Sequence, residues 1–227
     1  MLFVGTLSTT IFVLLCSTFL YLTPLHSGQA QNLTDVQNHT AQIHIPATIS
    51  KEAQEELNKV TLDPQTFRSP DSDDIEGWKK QYLDSESFFI EFSKPIIELY
   101  QPNISETDLG GVQVLDIKSR NWIENGKVLV YTHGGAYTFG SANSTLASPV
   151  LAANATGLRI ISVNYTVAPF SKWNQTTDEV LSVIRALKEE QGYSNDDIAM
   201  FGDSAGGGLA AGSVLKMRDL GLGLPAG

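Results

Sequence analysis

Cysteine is almost absent: Cys16 is the only one among 227 residues. It lies inside an apolar N-terminal run. Removal of that run leaves no thiol, which excludes a disulfide framework and any cysteine metal site from the remainder. Positive charge is also scarce, with 15 Lys and Arg against 25 Asp and Glu and a net charge of −10. Such a surface repels phosphate backbones and anionic lipid, so no nucleic-acid partner is expected. No side chain before Asp35 is charged, so the whole deficit lies in the body of the chain. Histidine occurs four times, at His26, His39, His44 and His133, and not at all after that. What is present suits a packed core. Apolar residues make up 42% and charged residues 18%, which excludes wholesale disorder and fits one large α/β domain or two small ones.

Residues 2–22 are uncharged and rich in Leu, Phe, Val and Ile, and small residues follow at Ser27, Gly28 and Ala30. The pattern predicts a secretory signal over residues 1–30, cut near Ala30. Its length, about 30 Å as a helix, makes a retained membrane anchor the alternative, and only then is a membrane partner expected. Seven of the eleven Asn begin an N-x-[ST] triplet, whereas composition alone gives about two. The excess predicts a secreted, extracellular glycoprotein, or one anchored in the secretory pathway. Asn32, Asn38, Asn103, Asn143 and Asn174 are the glycosylation candidates. Asn154 and Asn164 complete the set, and Asn164 closes an apolar strand where burial opposes modification.

Residues 31–48 are polar and patternless and read as a flexible lead. Residues 49–103 read as a helical segment. Within it Ser50 caps a helix over 51–61, and apolar residues recur at helical spacing over 75–100, where Pro95 should kink or divide the helix. From residue 104 to the end the pattern becomes α/β. Strands are predicted at 112–117, 127–132, 158–163 and 198–201, and helices at 144–156, 177–190 and 205–220. Buried strands alternating with helices indicate a mostly parallel sheet with helices on both faces.

Two motifs carry chemistry. Gly202-Asp203-Ser204-Ala205-Gly206 fits G-x-S-x-G between a buried strand and a helix of small residues. A sharp turn there holds a serine in strained backbone geometry with its hydroxyl above the sheet, so Ser204 is the candidate nucleophile. The second motif, His133-Gly134-Gly135-Ala136, directly follows the strand at 127–132. A loop of such small residues lets backbone N–H groups approach a carbonyl oxygen as it becomes negative. Gly135 and Gly140 have phosphate-loop spacing, but Ser141 stands where a lysine is needed, so that reading fails. His133 ends the strand and, with Gly134, reads as structuring the loop rather than serving as a base.

The stretches HGGAYTFGS (133–141), NYTVAP (164–169) and GDSAGGGLA (202–210) resemble the hormone-sensitive-lipase family of α/β-hydrolases. The resemblance runs from about residue 112 to the end, and the preceding helices look like that family's N-terminal cap. It implies Ser204 as nucleophile, an oxyanion hole from the N–H groups of Gly135, Ala136 and Ala205, small carboxylic esters as substrates, and neither metal nor organic cofactor. Ala136 replaces the family's third glycine, and Thr166-Val167 stand where Arg-Leu is usual.

The family's triad continues with an Asp or Glu and then a His. Only 23 residues follow Ser204, with Asp219 as their one carboxylate and no His. The resemblance therefore implies that this chain holds the N-terminal half of the fold, C-terminally truncated and inactive alone. It also predicts an open edge at the strand 198–201, whose later neighbour is missing. A non-catalytic ligand-binding protein on the same scaffold is the alternative.

Overall fold

The structure, a computed structural model, describes residues 44–59 and 69–227. The predicted signal at 1–30, most of the lead at 31–48, Cys16, His26, His39, Asn32 and Asn38 lie outside the described residues. The chain divides into two compact units, Met1–Ser69 and Pro70–Gly227. In the first, helix α1 spans Lys51–Asn58, and the Ser50 hydroxyl accepts from the Ala53 N–H at 3.2 Å. That is the predicted cap, on a helix that ends before 61.

The second unit opens with α2, Ile75–Tyr100, capped by the Asp74 carboxylate. Pro95 lies inside this helix and does not divide it. Both Pro95 and Glu91, whose carbonyl loses its partner, are exposed, a setting in which a helix accommodates proline more readily than in the core. Five strands follow: β1 Asn103–Leu109, β2 Val112–Lys118, β3 Val128–Thr132, β4 Arg159–Val163 and β5 Ile198–Gly202. Helices α3 Ala147–Thr156, α4 Trp173–Glu189 and α5 Ala205–Asp219 alternate with the last three strands, and a short 3-10 turn precedes β5.

The sheet order is β1-β2-β4-β3-β5. Pairings β3–β4 and β3–β5 are parallel, whereas β1–β2 and β2–β4 are antiparallel. The sheet is thus evenly mixed rather than mostly parallel. Strand β1 has no counterpart among the expected strands, because NISETDL is nearly all polar and exposed. Its pairing is imposed by the turn. Gly110 and Gly111, at φ 62° and 81°, form the two-residue left-handed turn that matches strand twist. The beginnings of α3 and α4 also differ from expectation. Residues 141–146 are tied into a turn before α3, and Lys172 with Gln175 starts α4 before the apolar stripe begins.

Side chains alternate between the two faces of the sheet, as strands require. One core joins Val114, Val130, Ile161 and Val163 to α4 and α5 through Val180, Leu181, Ile184, Leu187, Leu209 and Met217. The other joins Leu115, Ile117, Tyr131 and Ile160 to α3 through Val150 and Ala153, with Ile96 and Ile97 of α2 packed against it. Helices therefore cover both faces, as the alternation predicts. The outer edge of β5 is not fully open: Ala226 N–H donates to the Ile198 carbonyl and Met200 N–H to the Gly227 carbonyl, both at 2.8 Å.

An ion pair stitches β2 to β4. Arg159 Nε and Nη2 donate to the two oxygens of Asp116 at 3.1 and 2.9 Å, and Nη1 donates to Gln191 and Tyr193. Both side chains are about nine-tenths buried. Removing one partner strands the other charge where water is scarce. Asp116→Ala should cost about 3 kcal/mol. In urea denaturation this appears as a lowered midpoint with an unchanged slope.

Candidate active site

The candidate site lies at the carboxyl ends of β3 and β5. Strand β5 ends at Gly202 and α5 begins at Ala205. The two residues between must reverse direction. Ser204 does so at φ 50°, ψ −123°, a conformation that costs a non-glycine residue about 1–3 kcal/mol. Surrounding contacts hold it there: Gly206 N–H donates to the Asp203 carbonyl at 2.8 Å, and Gly207 N–H to that of Ser204 at 3.1 Å. The Ser204 side chain is exposed.

Close approach explains the flanking glycines. A Cβ on Gly206 would stand 2.0 Å from the Thr132 carbonyl oxygen, and one on Gly202 would stand 2.4 Å from Gly206. The Thr132 hydroxyl also donates to the Gly206 carbonyl at 2.7 Å, fixing the end of β3 against the first turn of α5.

The loop after β3 turns back at once. Gly135 sits at φ 122°, Ala136 at 53°, Tyr137 at 62° and Gly140 at 79°. The N–H groups of Thr138 and Phe139 donate to the Gly135 carbonyl at 2.9 and 2.8 Å. Among the described residues, no group accepts from the N–H of Gly135, Ala136 or Ala205. The resemblance assigned these three donors to an oxyanion hole. Ala205 adjoins Ser204, Gly135 and Ala136 follow Gly134, whose N–H donates to Asp203 in the same turn, and Ala136 is exposed like the serine.

Asp203 joins the two motifs. Its Oδ1 accepts from the Tyr131 hydroxyl and from the Gly134 N–H at 3.3 Å. A side chain on Gly134 would collide with this carboxylate. Burial, then the Asp203 charge, push the Tyr131 phenol far above its usual range, so it stays a neutral donor. Sequence reading passed over Asp203 and Tyr131. The signal available was a polar tip on an otherwise apolar strand beside a motif carboxylate.

His133 is fully buried and stacks on Tyr165 at 4.1 Å between ring centroids. Its Nδ1 lies 2.8 Å from the Gly134 carbonyl, which can only accept, so Nδ1 carries the proton. The remaining basic atom, Nε2, is buried with no hydrogen-bond partner among the described residues. His133 therefore makes no hydrogen bond to Ser204. The Tyr165 hydroxyl donates to the His133 carbonyl, and Ala168 N–H donates to that of Tyr137 at 2.7 Å. The segment after β4 thus backs the loop. Where the family usually has arginine, the Thr166 N–H and hydroxyl donate to Glu179 at 2.7 and 2.8 Å.

A cleft of about 390 Å³ is lined by Gly126, Gln191, Tyr193 and Asp197, at the opposite ends of the strands. Among the described residues no cluster of His, Cys, Asp and Glu could hold a metal ion.

Residues 129–227 match a family model described as alpha/beta hydrolase fold. An acetyl-hydrolase of Streptomyces hygroscopicus is 33% identical over 103 residues, covering 45% of this chain and 34% of that protein. Carboxylesterase NlhH of Mycobacterium tuberculosis is 34% identical over 103 residues, covering 43% of this chain and 32% of its own length. An esterase from the bacterial hormone-sensitive-lipase family superposes with a TM-score of 0.52 at 29% identity, over 55% of this chain and 41% of that one. Esterase E25 superposes with a TM-score of 0.67 over 83% of this chain and 58% of its own, at 21% identity, which speaks for the fold. The chain spans about a third of the length of the curated relatives it matches.

The state of His133 has a measurable consequence. Burial lowers its pKa from 6.5 to about 4. The unfolded chain therefore binds this proton at higher pH than the folded one. The contribution of the neutral ring is complete above about pH 6.5 and is lost as pH falls toward about 4. Urea midpoints measured between those limits should fall on acidification, and the fall should shrink in His133→Asn. An undiminished fall would assign the effect to other groups.

Proposed function

We propose that over residues 129–227 this chain is an α/β-hydrolase of the hormone-sensitive-lipase type and carries the nucleophile and oxyanion half of a serine esterase. The observation that carries the reading is Ser204, exposed and at positive φ on a strand–helix turn, with the Ala205 N–H beside it unbonded among the described residues and the glycine loop tied to the same turn through Asp203. In this reading the Ser204 hydroxyl attacks the carbonyl carbon of a small carboxylic ester. The N–H groups of Gly135, Ala136 and Ala205 stabilise the oxygen as it becomes negative. Collapse expels the alcohol and leaves an acyl-serine, which water then hydrolyses. Each step uses protein groups and water alone.

A serine hydroxyl needs a base to lose its proton. His133 is turned away from the role, its one proton directed at Gly134 and its basic nitrogen buried. No His follows Ser204 in the sequence, and Asp219 at the exposed end of α5 is remote from the turn in sequence. We assign the acid and base to a segment outside these 227 residues. The absence of a His bonded to Ser204 among the described residues also fits a ligand-binding protein on this scaffold, so one experiment is set to separate the two readings. The chain alone should hydrolyse a short-chain nitrophenyl ester no faster than its Ser204→Ala variant. Joined to its natural downstream coding segment, it should gain at least about 10³-fold, and Ser204→Ala should remove the gain. No gain would favour the binder, and strong Ser204-dependent hydrolysis by the chain alone would return His133 to consideration as base.

We also propose that the protein enters the secretory pathway and is glycosylated. The support is the sequon excess, together with exposure of Asn103, Asn143 and Asn174 on the folded unit. Asn164 is spent otherwise: its Oδ1 accepts from Ala142 N–H at 3.0 Å and its Nδ2 donates to Gln113 at 2.8 Å. Among the described residues no helix is long and apolar enough to cross a membrane. Peptide mass spectrometry of protein expressed in a eukaryotic host, with and without endoglycosidase, should find a start near residue 31. Glycans should lie at exposed sequons and not at Asn164. An unglycosylated chain beginning at Met1 would refute secretion.

A further inference from the structure

We propose that Glu86, on helix α2, is a positioning residue for the loop that carries the Gly135 and Ala136 donors. The proposal rests on the reading of that loop as part of an acyl-transfer site. It starts from three residues spaced along one face of α2. Tyr82, Glu86 and Ser93 are separated by four and seven positions, the spacing that stacks side chains on one side of a helix. The carboxylate of Glu86 accepts from the Ser141 hydroxyl through Oε2 and from the Ser144 hydroxyl through Oε1, both at 2.7 Å. The donors lie 55 and 58 residues further along the chain.

The two serines also bind each other. Ser141 N–H donates to the Ser144 Oγ at 2.9 Å, and Ser144 N–H to the Ser141 Oγ at 3.2 Å. Each hydroxyl oxygen thus accepts from the backbone of the other residue, which leaves its own proton to be placed. Both serines are buried, so water cannot take those protons, and Glu86 receives both. Two turns along α2, the buried Ser93 hydroxyl donates to the Ser144 carbonyl at 2.8 Å and accepts from Ala147 N–H at 3.2 Å. From the other side Asn164 accepts from Ala142 N–H. Tyr82 stands against the same carboxylate: burial and then the Glu86 charge raise its phenol above the usual range.

This clamp matters because of what it brackets. Asp203 holds the near end of the loop at Gly134, and Glu86 holds the far end at Ser141. Between them lie Ala136 and Tyr137, two non-glycine residues in left-handed conformation. A strained segment persists only where its surroundings over-determine it. Release of the far end lets residues 136–140 relax toward ordinary conformations, and the Gly135 and Ala136 N–H groups then lose their aim. Glu86 acts on the donors through Ser141 and Ser144 and does not itself touch the reacting atoms.

Amide hydrogen exchange on the full chain tests this without reference to ester turnover. Glu86→Ala should speed exchange of the hydrogen-bonded amides of Thr138, Phe139 and Ser141 by at least about tenfold while leaving α4 and α5 unchanged. Glu86→Gln keeps a carbonyl acceptor and an amide of the same shape, and should recover more than half of that protection on a logarithmic scale. Ser141→Ala, which removes one of the two hydroxyls, should give a smaller increase in the same amides and serves if Glu86→Ala does not fold. Ser87→Ala, on the exposed side of α2, should change nothing in the loop. Loop exchange unchanged in Glu86→Ala and Ser141→Ala overturns the proposal, as does an equal loosening of α2 and the loop, or no recovery with Gln. If the joined protein shows no Ser204-dependent hydrolysis, the esterase reading fails while the exchange result stands. If the loop is indifferent to Glu86 while Ser204 is active, only the positioning role fails.

Discussion

The approach of α5 to the end of β3 is the constraint on which the site depends. Main chain meets main chain there, with no room for a single carbon on Gly206 or Gly202. The hydroxyl of Thr132 closes the contact on the Gly206 carbonyl. With the helix so close, the two residues joining it to β5 have little freedom, and Ser204 takes a conformation that most residues avoid. Tertiary packing stores the strain locally, and the result is a hydroxyl presented to solvent at the open end of the sheet.

The neighbouring loop is organised by the same logic with different chemistry. Its irregular backbone cannot satisfy itself, so side chains from elsewhere do so. Asp203 reaches from the serine turn to Gly134, Tyr165 supports His133, and Asn164 receives Ala142. Of these only Tyr165 is buried; Asn164 is half-buried and Asp203 exposed, yet each finds a partner on the loop. His133 is the telling case. It has the residue type expected of a base, yet its stacking on Tyr165 and its bond to Gly134 commit it to holding the loop. Burial then keeps the ring neutral.

The sheet supplies the platform. Two parallel pairings place the ends of β3 and β5 side by side, so the loop after one and the turn after the other face a common space. The antiparallel β1–β2 hairpin lies at the far edge and contributes stability through the Asp116–Arg159 pair rather than chemistry.

Much of this was legible in the residues themselves. Continuous apolar runs announce β3, β4 and β5, and the apolar stripe of α4 announces a covered face, because burial on both sides of a sheet leaves no polar positions. The serine turn is readable because glycine at fixed spacing reports a backbone that admits no side chain. Other features were not readable, for reasons of reach. Strand β1 is polar, and only its glycine turn and its pairing with β2 make it a strand. Pro95 remains within α2 on its exposed side, as does Glu91, and which side is exposed depends on how the helix is packed. The links of Tyr131 to Asp203 and of Glu86 to Ser141 join residues 72 and 55 positions apart. Sequence by itself determined most of the local elements and the position of the strand–serine–helix turn, because those follow from short-range sterics and periodicity. Only the tertiary structure decided which polar groups hold the loop in place and that the His133 Nε2 is buried without a partner among the described residues, because hydrogen-bond partners are set by proximity in space.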